Sequence, residues 1–120
     1  MTRNQNIGKD SEDYVAHYLE SRGARILARN YSVHRVGEID IICDYKGKVL
    51  VIEVKSRHFN MNYGTPEEAV TSVKQRKIML TMVEYCKENK IPLEQVSYYV
   101  AGVIHDAYGN IQSLQFTSFL

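Results

Sequence analysis

The chain has 120 residues, 44% hydrophobic and 24% charged, with a formal net charge of +1 at pH 7. That length makes one domain and excludes two, so residues 1–120 are read as a single domain with a flexible lead over residues 1–9. The near-neutral charge argues against a protein that coats nucleic acid non-specifically.

Asp10 or Ser11 can cap a first helix that runs to about Arg22 and stops at Gly23, with Val15, Ala16 and Leu19 as its apolar stripe. Residues 25–34 read as a first strand, interrupted near Arg29–Asn30. Residues 38–44 and 49–55 read as a hairpin turning at Tyr45-Lys46-Gly47-Lys48. Thr65, Pro66 and Glu68 form a capping box opening a second helix, which is expected to run to about Asn89. Its inward residues are expected to be Met79, Met82, Val83 and Cys86, and Pro92 keeps it from going further. Residues 96–104 and 111–117 are two more strands around a turn at Tyr108-Gly109-Asn110. The order αβββαββ makes an α/β domain with a mixed sheet of about five strands flanked by helices.

No apolar run could span a bilayer, and "MTRNQNIGKDSED" has no apolar core for a signal peptide. Cys43 and Cys86 are expected as free thiols in a reducing compartment. The chain therefore reads as cytoplasmic, with no membrane partner. Lys46, Lys48, Lys55, Arg57, Lys74, Arg76 and Lys77 concentrate positive charge in its middle, and no Lys or Arg follows Lys90. That distribution fits a localised anionic partner or a solvated face.

The hairpin carries the chemistry. A turn centred between Lys46 and Gly47 pairs Asp44 with Val49, Ile42 with Val51 and Asp40 with Glu53, and sets Glu38 opposite Lys55. Ile39, Ile41, Cys43, Leu50, Ile52 and Val54 then share one apolar face. The other face gathers Glu38, Asp40, Glu53 and Lys55 at one end. Two opposed carboxylates repel, and a divalent cation with hard oxygen ligands removes that repulsion. Lys55, on the same face, can act on an attacking water. A solvated sheet face is the alternative. Glu12 falls at helical spacing with Val15, Ala16 and Leu19, so it is either a third inward acid or a partner of the helix dipole.

Asp40 followed by Glu53-Val54-Lys55 resembles the motif of the PD-(D/E)xK nuclease superfamily. An early helical acid such as Glu12 is similar to the archaeal Holliday-junction resolvases. "YLESRGARILARNYSVHRVGEIDIICDYKGKVLVIEVKSR" followed by "YGTPEEAVTSVKQRKI" resembles the bacterial YraN-like family, over about Glu12 to Tyr85, although Ser11 stands where that family tends to have Gly. The resemblance implies a restriction-endonuclease-like fold and a Mg²⁺ or Mn²⁺ site at Asp40 and Glu53 with the Val54 carbonyl. It also implies Lys55 as catalytic lysine and Glu12 as accessory acid. The function expected is a metal-dependent nuclease acting on DNA, with structured or branched DNA as substrate. Arg57, His58, Lys74 and Arg76 would contact phosphates, and cutting two strands would call for a homodimer. Two other readings stand beside it. One is a nucleic-acid-binding module with weak or partner-dependent chemistry. The other is a protein-interaction domain using Tyr98, Tyr99, Tyr108, Phe116 and Phe119.

Overall fold

The computed structural model describes the backbone of residues 3–59 and 70–120, and the side chains of residues 9–59 and 70–120. Two helices, α1 (Arg3–Ser21) and α2 (Ser72–Asn89), flank a sheet of β1 (Arg25–Val33), β2 (Gly37–Tyr45), β3 (Lys48–His58), β4 (Val96–His105) and β5 (Ile111–Ser118). The strands lie in the order β1-β2-β3-β4-β5. Neighbours run antiparallel except β3 and β4, which are parallel because the chain crosses over through α2 between them. This is the mixed α/β fold expected from the sequence.

β3 is the middle strand, and both of its faces are covered, as its nearly unbroken apolar run requires. On one face Val15, Ala16 and Leu19 of α1 pack on Ile41, Cys43, Ile52, Ala101 and Val103. On the other, Ile78, Met82, Tyr85 and Cys86 of α2 pack on Ile42, Val49, Val51 and Val100. The hairpin turn has Lys46 at φ 51° and Gly47 at φ 81°, the pair of positive angles that a tight two-residue hairpin demands.

Four local expectations are corrected. First, α1 begins at Arg3, so neither Asp10 nor Ser11 caps it. No proline interrupts residues 3–10, and Ser11 is a fully buried mid-helix residue, 3.4 Å from His105 Nε2. Gly23 ends the helix as expected, at φ 97°.

Second, the helix expected to run unbroken from Pro66 does not, because Val70 lies in a bend and Thr71 is extended. Thr71 Oγ1 accepts from the Lys74 N–H at 3.2 Å and opens α2 at Ser72. The capping box at Thr65, Pro66 and Glu68 lies outside the described residues.

Third, the inward face of α2 is Ile78, Thr81, Met82, Tyr85 and Cys86, whereas Met79 and Val83 are exposed. Apolar residues line both sides of this helix, so periodicity alone leaves its rotation open. Contacts with β1 and β2 settle it, among them the edge-on Tyr31–Tyr85 pair at 5.1 Å.

Fourth, Ile39 packs in the α2 layer although Ile41 and Cys43 pack in the α1 layer. Strict alternation breaks across Asp40. Asn30, on the neighbouring strand between the partners of Ile41 and Ile39, has φ 53°, a left-handed residue opposite the same point.

Candidate active site

The β2–β3 ladder keeps the expected register from Tyr45–Lys48 to Ile41–Ile52 and ends there. The Asp40–Glu53 and Glu38–Lys55 backbone pairs expected from the register do not form, because the strands part beyond Ile41. Side chains take over the freed backbone donors. Asp40 Oδ2 accepts from the Val54 N–H at 2.8 Å, and Glu53 Oε1 accepts from the Asp40 N–H at 3.4 Å. A buried N–H without a partner costs about as much as a lost hydrogen bond, so each acid helps hold the fork open.

Glu53 sits on the central strand beside Val100 of β4 and is only 2% exposed. Burial pushes its carboxyl above the ordinary glutamate range and the Asp40 charge adds to this, while Lys74 works against both. Lys74 comes from the first turn of α2, with Nζ 3.1 Å from Glu53 Oε2. Burial opposes the Lys74 charge, yet Glu53 and a hydrogen bond with Lys55 lift its pKa above the ordinary lysine value. Lys55 moves the other way: burial and then the neighbouring Lys74 lower it. The two neighbouring lysines are thus shifted in opposite directions.

Asp40, Glu53 and Lys74 line an open pocket of about 490 Å³, together with Gly37, Glu38 and Lys77 among others. Gly37 and Lys77 were not singled out from sequence as site residues. Gly37 allows the close approach of α2, since a Cβ there would stand 2.7 Å from Thr81 Oγ1 and 3.1 Å from the Lys77 carbonyl oxygen. Its place three residues before Asp40, within the stretch that resembles the YraN-like family, is the available signal.

The remaining predicted residues are dispersed. Glu12 is held by Arg29 Nη2 at 3.2 Å, which also bonds Asp13 at 2.6 Å, and it lines a separate pocket with Lys9 and Asn30. Among the described residues no three of His, Cys, Asp and Glu gather as metal ligands, so Glu12 does not join Asp40 and Glu53 here. Arg57 and His58 continue β3 beside Ile104 and His105, and Arg76 lies on the exposed side of α2.

The donor set fits a hard divalent cation. Two carboxylates converge, one of them buried, and the Lys74 ammonium already stands against Glu53 as a cation would. Two protein carboxylates leave positions open for water and phosphate, as Mg²⁺ prefers.

The profile of Uncharacterised protein family UPF0102 matches residues 11–104. The chain belongs to this family, the YraN family whose motifs its sequence carries. The UPF0102 protein of Persephonella marina is 36% identical over 106 residues, covering 88% of this chain and 90% of that one. The UPF0102 protein of Clostridium beijerinckii is 39% identical over 113 residues, covering 94% and 87%. Among solved structures, an XisH family protein from Nostoc punctiforme is similar with a TM-score of 0.39 and 15% identity, covering 87% of this chain and 97% of that one. No helix among the described residues is long and apolar enough to cross a membrane.

Proposed function

We propose that this UPF0102 chain is a metal-dependent nuclease that hydrolyses phosphodiester bonds in DNA, including structured or branched DNA. The observation that carries this reading is the convergence of Asp40 and Glu53 across the β2–β3 fork, with Lys55 and Lys74 beside them. Asp40, Glu53 and the Val54 carbonyl would hold Mg²⁺ or Mn²⁺, which when bound supplies Lewis-acid polarisation of a phosphoryl oxygen and acidifies water.

The chain's own groups then have separable tasks. Asp40 and Glu53 orient the site and carry its negative charge. Lys55, with its proton affinity lowered, takes or positions a proton of the attacking water. Lys74 leaves Glu53 for a phosphate oxygen as negative charge builds on the substrate. Arg57, His58 and Arg76 supply phosphate contacts beyond the pocket, and a homodimer would present two such sites to two strands.

The test is a cleavage assay on single-stranded, duplex, flap and four-way-junction DNA and on RNA, with and without Mg²⁺ or Mn²⁺. Metal-dependent cutting that Glu53→Gln abolishes is expected. Cutting that survives Glu53→Gln under matched conditions would overturn the mechanism. Binding without cutting would leave a nucleic-acid-binding module in which Lys74 keeps the acids neutralised.

A further inference from the structure

A second pocket, of about 510 Å³, opens on the α1 side of the sheet at the far end of the same hairpin. It begins at Tyr45 and Lys46, five or more residues from Asp40 along β2, or about 17 Å at the usual rise of a strand. Four rings stand in its walls, Tyr18 from α1, Tyr45 from the hairpin, Tyr99 from β4 and Phe116 from β5, alongside the aliphatic Leu19, Leu50 and Ile52. Tyr18 and Phe116 lie 5.8 Å apart with their planes inclined by 30°. Its charged lining is all of one sign, from Arg22, Lys46 and Lys48, and among the described residues no carboxylate lines it. Lys46 Nζ lies over the Tyr45 ring, 5.1 Å from its centre, so the ammonium covers one face of that ring and sits next to the other aromatic walls.

Each half of this lining selects a ligand feature. Clustered rings accept a flat π-system by stacking, and three cations without a balancing acid attract an anion. A purely apolar ligand would leave the cations without purpose. A second copy docked by two-fold symmetry would set the cations against themselves. A nucleotide unit satisfies both halves at once, with its base against the rings and its phosphates on the cations, as in sites for single-stranded nucleic acid.

We propose that this pocket binds a base and the adjoining phosphates of a single-stranded nucleic-acid segment, as a second contact remote from Asp40 and Glu53. The proposal rests on the nucleic-acid reading above but not on cleavage. A branched substrate could reach both places, since its arms leave the junction in different directions.

The test measures binding by fluorescence anisotropy in EDTA, which separates it from any metal-dependent step. The probes are a labelled oligothymidylate, the same sugar–phosphate strand without bases, and free thymidine monophosphate. Wild type is expected to prefer the strand with bases, and Tyr18→Leu to lose about 5- to 100-fold of that affinity while binding the base-free strand as before. Lys46→Gln combined with Lys48→Gln should reduce the slope of log affinity against log salt by about 1.4 on both strands. Equal binding of both strands by wild type would overturn the proposal. So would an unchanged preference in Tyr18→Leu, binding of the free nucleotide alone, or a dimer that Tyr18→Leu dissociates. The two readings can fail separately: cleavage lost in Glu53→Gln with no base preference removes only the pocket, and base preference with no cleavage by wild type removes only the nuclease.

Discussion

Lys74 Nζ lies 3.1 Å from Glu53 Oε2, so the charge that balances the buried carboxylate comes from the first turn of α2. A divalent cation on Glu53 and Asp40 would compete with that ammonium. Lys74→Met should therefore bind Mn²⁺ more tightly than wild type in a calorimetric titration. Without metal it should be less stable by about 1–3 kcal/mol, because a buried charged acceptor loses its partner. Unchanged Mn²⁺ affinity would show that the lysine and the metal do not share a position.

Glu53 also makes stability depend on pH. Burial first, and then Asp40, make its proton bind more tightly in the folded chain than in the unfolded one. Its contribution to stability is thus fully present below the ordinary glutamate value and is lost as pH rises through the raised folded value. In thermal melts with EDTA, the melting temperature of wild type minus that of Glu53→Gln should fall across this interval. A difference that rises with pH would contradict the environment assigned to Glu53.

Metal binding gives an independent check. With Mn²⁺ at ten times its Kd, the folded state should gain about 1.4 kcal/mol, or about 5 °C in melting temperature. The gain should vanish in Glu53→Gln. An equal gain in the variant would place the metal elsewhere.

Lys55 should govern the pH dependence of cleavage. Burial and the adjacent Lys74 charge lower its pKa, so the rate should rise with pH below the usual lysine range as Lys55 loses its proton. Lys55→Met should reduce the rate by about 10²- to 10⁴-fold. Lys74→Met removes one of the two causes and should move the same limb of the profile to higher pH, measured as rate against pH at saturating Mn²⁺. A limb that stays in place would assign it to another group.

Asp40 has a structural task as well as a chemical one, because its Oδ2 accepts from the Val54 N–H. Asp40→Asn can keep that acceptor, whereas Asp40→Ala leaves the donor at the fork without it. The alanine variant should lose about 1–3 kcal/mol of stability in urea melts, and the asparagine variant should melt near wild type while losing metal affinity. Gly37→Ala, in turn, should cost about 1–3 kcal/mol through overpacking against Thr81, and Thr81→Ala should recover part of it.

Much of this protein is local in origin and therefore legible in its sequence. Lys46-Gly47 can adopt the two positive φ angles of a tight turn, and that turn with the alternating Ile and Val residues specifies the register from Tyr45–Lys48 to Ile41–Ile52. Gly23 stops α1, and the hairpin spacing by itself marks Asp40, Glu53 and Lys55 as a candidate set. The fork at Asp40 is not local: it rests on side chains that replace ladder bonds across two strands. Nor is the rotation of α2, whose two apolar sides are equivalent by spacing until Tyr85 meets Tyr31 and Thr81 meets Gly37. Local pattern states which groups are available. Whether Lys74 reaches Glu53, and whether Glu12 turns to Arg29, depends on contacts between distant segments. The free energies of those contacts are absent from any one stretch of chain and exist only once the sheet and its two helices are packed.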